Sequence, residues 1–191
     1  MIRELRLVPN QMTAARLVLL PVLWVYALRS DRLAVGIGLA ISFALDFGDG
    51  FVARRLGQTS SFGSKFDSVV DTLIGPSAIV WLLLLEPRTI LDHKLLVGVW
   101  VVVTYGSLAV GLIKHRRLGN LHLQSSRIAC VVQYAFLVDV FATRNYEPVL
   151  LYLAVGAGIA SSLETLILQL TRSRVDEHAY SLLPALRRTR A

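Results

Sequence analysis

The chain has 191 residues, 54% of them hydrophobic, with a mean hydropathy of +0.58 and a formal charge of +7. Only 17% of the residues are charged, against about a quarter in soluble domains, which excludes an ordinary soluble domain and leaves a membrane protein. The length fits one domain and is short for two; the single cysteine, Cys130, has no intramolecular partner and reads as a bland buried thiol.

Met1 to Met12 is basic and partly amphipathic. No small-residue cleavage site follows the first apolar run, so it is not read as a cleavable signal. It reads as a solvated N-terminus or as a short helix on the membrane surface, with Arg3 and Arg6 near headgroups. A first span is predicted over residues 12–29, closed by Ser30-Asp31. Arg16 interrupts it, either to meet a phosphate or an acidic partner or to snorkel to the headgroups. The second span covers 33–53, the Gly57–Gly63 segment forms a loop, and the third covers 62–86, ending at Glu86-Pro87. The fourth, 94–114, contains Leu95 to Ile113, 19 residues without a charged side chain and enough for one bilayer crossing. Leu118-Gly119-Asn120 separates it from a fifth span over 124–143, and Asn145 to Pro148 precedes a sixth over 147–171. Pro21, Gly75-Pro76, Gly156 and Gly158 lie inside spans, which lipid-embedded helices tolerate.

The expected fold class is therefore all-α: an integral membrane bundle of six transmembrane helices. Only such helices satisfy their backbone groups in lipid without forming a barrel. The expected organisation is one membrane domain over 1–171 with a polar tail over 172–191. With both termini cytoplasmic, 15 of the 20 lysines and arginines fall on inner segments and five (Arg29, Arg32, Arg88, Lys94 and Arg144) on outer ones. This is the positive-inside bias, so the +7 charge points to anionic lipid rather than to nucleic acid.

Four aspartates stand in one frame: D46-F-G-D49-G50-F-V-A53-R54, eight residues, then G63-S-K-F-D67-S-V-V-D71. Acids are costly beside a bilayer and are seldom left there without a task. Asp46 and Asp49 are three apart at the end of the second span; Asp67 and Asp71 are four apart on the third. Two antiparallel helices joined by a short loop, expected from Arg55 to Phe62, would converge the four carboxylates at the cytoplasmic end. Packed carboxylates need compensation, and hard oxygen ligands suit magnesium, manganese or calcium. A pair of such ions would clamp both oxygens of an in-line phosphoryl displacement. Gly50 and Ala53 let a ligand or a neighbouring helix approach the backbone. Asp46-Phe47-Gly48 spells the kinase metal tripeptide, but neither an H-R-D loop nor a glycine-rich nucleotide loop accompanies it.

This frame resembles the CDP-alcohol phosphatidyltransferase family. The pattern D-x2-D-G-x2-A-R-x8-G-x3-D-x3-D is matched at every fixed position by Asp46, Asp49, Gly50, Ala53, Arg54, Gly63, Asp67 and Asp71. The resemblance implies transfer of the phosphatidyl group of CDP-diacylglycerol to an alcohol, with release of CMP. It implies that Asp46, Asp49, Asp67 and Asp71 ligate two magnesium or manganese ions and that Asp71 is the general base. It implies that Gly50, Ala53, Arg54 and Gly63 shape the CDP-lipid site, and that the protein is a homodimer. Lys114 and Arg127 are the candidate cations for a phosphate-bearing acceptor, within a basic run that includes His115, Arg116, Arg117 and His122.

The acceptor stays open. Pro9 to Arg16 is similar to the opening of the phosphatidylglycerophosphate synthase branch, which points to glycerol 3-phosphate. Thr72 stands where that branch has lysine, and Gly119 to His122 replaces its G-K-x-x-T segment. Phe66-Asp67-Ser68 with Asp71-Thr72 resembles the serine-transferring branch; inositol (phosphate) and phosphatidylglycerol are further alternatives. The rival from another class is a cation transporter, which would place acids on several helices near the midplane. Asp139 is expected at the outer end of the fifth span, exposed to water. Glu164 is expected to face the bundle and pair with an inner arginine.

Overall fold

A computed structural model describes residue 4 and residues 6–115, 124–143 and 146–171. The helices with described bounds are, in order, α1 (Val8–Leu28), α2 (Arg32–Arg55), α3 (Ser61–Leu85), α4 (Pro87–Leu91), α5 (Lys94–His115), α6 (Gln124–Thr143) and α7 (Pro148–Thr171). Six of them, all but α4, are long and apolar enough to cross a membrane. No strand occurs among the described residues, as the predicted all-α class requires. At most 39% of the residues in any span's apolar window are buried, which leaves apolar side chains exposed on every span, as lipid-facing helices require.

The helix limits follow local chemistry. The first span starts at Val8, four residues before its predicted start, because Pro9 occupies the opening turn, where its missing N–H costs nothing. Pro9 to Met12 is thus part of the spanning helix; residues 1–3 and 5 of the expected surface segment lie outside the described residues. Asp31 caps α2, its Oδ1 accepting from Ala34 N at 3.1 Å. Ser60 caps α3, its Oγ accepting from Gly63 N at 3.0 Å. Helix α2 ends in a Schellman turn, with Gln58 N donating to Ala53 O at 2.9 Å and Gly57 N donating to Arg54 O at 3.4 Å. Gly57 has φ +63°, a conformation that favours glycine. The loop is only Leu56 to Ser60, shorter than predicted, because Arg55, Ser61 and Phe62 are already helical. The short helix α4 fills what read as a plain turn, with Pro87 as its first residue.

The chain divides into two compact units, Met1–Leu91 with Leu137–Asn145, and Asp92–Phe136 with Tyr146–Ala191. In the first, α1 packs on both α2 and α3. Association in lipid relies on close packing rather than on expulsion of water, which favours small residues at the contacts. Gly38 lies against the Leu23 side chain and Gly36 against Phe141. Trp24 meets the fully buried Trp81 edge-on, centroids 5.8 Å apart, worth about 0.5–1.5 kcal/mol beyond burial. The Trp24 indole N–H donates to Ser77 Oγ at 3.1 Å, so its polar group is satisfied. Arg32, opening α2, is ion-paired to Glu86, which follows α3. That contact joins the start of α2 to the end of α3, as antiparallel helices allow, and the aspartates lie at the opposite end.

In the second unit, α5 packs on α7. Thr104 and Ser162 hydroxyls lie 2.9 Å apart, and Gly158 lies beneath Trp100 and Gln133. His93 Nε2 is 3.2 Å from the Tyr146 hydroxyl. Residues 172–191, the predicted polar tail, lie outside the described residues.

Candidate active site

Helix α1 carries Asn10, Thr13 and Arg16 at three-residue intervals, which places them on one face. All three are buried, Arg16 to 1% exposure. They lie against the acid-bearing ends of α2 and α3. Arg16 Nη1 is 2.5 Å from Asp46 Oδ1 and 2.7 Å from Asp67 Oδ1, and Nη2 is 2.6 Å from Asp71 Oδ1. One guanidinium therefore ties three carboxylates on two helices. These are charge-assisted contacts, two of them shorter than the usual range of about 2.7–2.9 Å.

Carboxylate oxygens of Asp46, Asp67 and Asp71 lie within 4.8 Å of one another. Three carboxylates against one guanidinium leave a formal charge of −2 when all are ionised. The donors are hard oxygens, and a cation already lies among them. On both counts the residues fit a divalent ion such as magnesium or manganese. Burial decreases from Asp46 to Asp71: their side chains are 20% and 52% exposed, with Asp67 at 22%. Asp71 is thus the most open of the three.

Asp49 is not in this three-oxygen group. It is buried, and its Oδ2 accepts from Thr13 Oγ1 at 3.0 Å; the Thr13 hydroxyl also lies 3.3 Å from Pro9 O. Three of the four predicted acids are gathered together, and the fourth stands beside them on Thr13.

The small residues of the frame differ in their reasons. Among the described residues, a Cβ at Gly50 would meet only Arg54 Nη1, at an ordinary 3.5 Å, so none of them demands a glycine there. At Gly63 a Cβ would come within 2.5 Å of Asn10 Oδ1 and 3.3 Å of Ser60 Oγ. Asn10 cannot easily retreat, because its Nδ2 donates to Glu4 O at 2.8 Å. Gly63 thus admits α1 rather than only a ligand. Gly63→Ala is expected to destabilise the protein: overpacking costs about 1–3 kcal/mol, more than the roughly 0.5–1 kcal/mol a helical Gly→Ala gains. Thermal unfolding in detergent measures this, and the loss should shrink in an Asn10→Ala background.

Among the other predicted residues, Ala53 is half-buried and Arg54 exposed. Lys114, at the end of α5, donates from Nζ to Gln169 O at 2.7 Å and to Leu170 O at 3.0 Å. It therefore serves the carbonyl end of α7, where a cation is favoured. Arg127 is exposed on the first turn of α6. Arg116, Arg117 and His122 lie outside the described residues. Asp139 is half-buried rather than exposed to water, and its Oδ2 is buried without a hydrogen-bond partner among the described residues. Glu164 and Cys130 are half-buried. Asn10 and Thr13 were not among the predicted site residues. The signal for them was the repeat of polar side chains at 10, 13 and 16 in an otherwise apolar helix.

A family model described as CDP-alcohol phosphatidyltransferase matches residues 6–160. Curated relatives include a protein of Rickettsia felis named CDP-diacylglycerol--glycerol-3-phosphate 3-phosphatidyltransferase, 37% identical over 79 residues. That match covers 39% of this chain and 43% of the relative. A Rickettsia typhi protein of the same name is 37% identical over 70 residues, 35% of this chain and 39% of the relative. One from Pseudomonas fluorescens is 35% identical over 78 residues, 39% and 40% respectively. The chain thus spans less than half the length of the curated relatives it matches. No solved structure matches.

Proposed function

Because the chain belongs to the CDP-alcohol phosphatidyltransferase family, we propose that it transfers the phosphatidyl group of CDP-diacylglycerol to glycerol 3-phosphate in phospholipid synthesis. The observation that carries this reading is the meeting of Asp46, Asp67 and Asp71 within 4.8 Å at one end of two membrane helices. The acceptor is taken from the names of the relatives and from the Pro9 to Arg16 opening. Serine, inositol (phosphate) and phosphatidylglycerol are the alternatives that the acceptor panel below separates.

In this reaction the acceptor hydroxyl oxygen forms a bond to the phosphatidyl phosphorus. The bond from that phosphorus to the bridging pyrophosphate oxygen breaks, and CMP leaves with the electron pair. The hydroxyl proton goes to Asp71, whose openness relative to Asp46 and Asp67 suits a group that must reach an incoming alcohol. Asp46, Asp49, Asp67 and Asp71 would hold two magnesium or manganese ions, which when bound neutralise the pyrophosphate and the leaving CMP. Thr13 keeps the Asp49 carboxylate oriented through its 3.0 Å hydrogen bond. Gly50 and Ala53 leave the α2 backbone approachable for the cytidine diphosphate, and the exposed Arg54 would add positive charge near the leaving group. For a phosphate-bearing acceptor the candidate cations are Arg127 and Lys114; the exposed Arg127 is the freer of the two, since Lys114 already bonds two carbonyls.

The distribution of lysine and arginine supports a cytoplasmic-facing site in a multi-pass inner-membrane protein. A homodimer is proposed from family membership alone. CMP release from CDP-diacylglycerol tests the activity, using purified protein, manganese or magnesium, and a panel of alcohols. Activity with glycerol 3-phosphate is expected, and no activity with any acceptor would overturn the reading. Gly50→Ala sharpens the test: stability is expected to hold or rise by about 0.5–1 kcal/mol, while CMP release falls at least about tenfold because the ligand loses its approach.

A further inference from the structure

Arg16 does something unusual for an arginine in a membrane helix. It neither snorkels to the headgroups nor meets water: it is 1% exposed, and its guanidinium lies among the carboxylates that the reading above assigns to metal. Nη1 lies 2.5 Å from one carboxylate oxygen and 2.7 Å from a second, on two different helices. An ion bridging the same pair would sit at about 2.0–2.6 Å from each. The guanidinium nitrogen and such an ion would therefore occupy overlapping space, too close for two positive centres to share.

We propose that Arg16 is the resident counter-ion of the metal-free site, and that a divalent cation enters by displacing its guanidinium from Asp46 and Asp67. This rests on the reading of the aspartates as metal ligands and adds a device to it. Without metal, three carboxylates held together at one end of these apolar helices would repel one another, and Arg16 neutralises part of that charge. The same contacts compete with metal. A site whose competent state is only a fraction of the population binds its ligand more weakly by that fraction. Arg16 thus stabilises the empty protein and raises the cation concentration needed to fill the site. In the loaded protein its charge is released from those two carboxylates and becomes available to an anionic group of the substrate.

Manganese binding separates this from the reading it rests on. The full chain, purified metal-free in detergent, is titrated with manganese chloride, and free manganese is followed by electron paramagnetic resonance. Thermal unfolding is recorded with and without the ion. Arg16→Gln is expected to bind manganese at least about tenfold more tightly than the wild type, the gain that follows when a competent state of about 10% becomes the whole population. Its metal-free unfolding temperature should fall below that of the wild type, and manganese should raise it by more. Arg16→Lys keeps the charge but loses the two-pronged geometry, so its affinity should lie between the two; it decides the matter if the glutamine variant does not fold. If the wild type binds manganese and the folded Arg16 variants bind no more tightly, Arg16 does not compete with metal, and the aspartate reading stands without it. If neither the wild type nor a folded variant binds manganese, the metal reading and this inference fall together.

Discussion

Asp71→Asn is expected to lower CMP release by about a hundredfold to ten-thousandfold, the usual contribution of a positioned proton acceptor, in a protein that still folds. Asparagine has nearly the same shape and keeps an oxygen that Arg16 Nη2, now 2.6 Å from Asp71 Oδ1, can still reach. What is lost is the negative charge and the basicity. The side chain is 52% exposed, so the change leaves no buried group stranded, and the unfolding temperature should move little. Assaying CMP release and thermal unfolding on the same preparation separates chemistry from folding. A folded, manganese-binding variant with activity within about tenfold of the wild type would remove Asp71 from the proton-accepting role.

Asp46→Asn is expected to act earlier, on metal binding. Asp46 is a deeper member of the trio, 20% exposed, on α2 opposite the two acids of α3. Divalent affinity depends on the number of charged ligands, so removing this charge should weaken manganese binding at least about tenfold and metal-dependent CDP-lipid binding with it. Arg16 would still pair with Asp67 and Asp71, which keeps α1 docked on α3. Asp139→Asn is the matched control, an acid of the same unit on α6 outside the trio. It should leave manganese and CDP-lipid affinity unchanged. Equal losses from the two substitutions would show that the carboxylates act through general charge rather than as ligands, and the site assignment would fail.

Both predictions depend on a geometry that was only partly readable from the residue order. The six spans were readable because the apolar runs are long, and the bilayer sets one length for all of them. The caps at Asp31 and Ser60 and the reversal at Gly57 were present as residue types but were read only as turns. The start of α1 was placed late because Met1 to Met12 read as a basic, partly amphipathic segment, whereas Pro9 sits in the first helical turn and opens the helix. Lys114 was read as a cation awaiting a phosphate. Its basic side chain gave no sign that two carbonyls at the end of α7, 55 and 56 positions away, would engage it.

Local sequence determined which residues could share a face: Asp46 with Asp49, Asp67 with Asp71, and Asn10 with Thr13 and Arg16. A helix has a fixed period, and spacing alone decides such neighbours. Only tertiary packing decided which faces meet. It set Arg16 among Asp46, Asp67 and Asp71, gave Asp49 to Thr13, and made Gly63 a seat for Asn10. These contacts join residues 30 to 55 positions apart, a distance over which no periodicity carries information. They depend instead on how α1 fits the surfaces of α2 and α3, and on the cost of leaving an arginine or an acid without a partner in lipid.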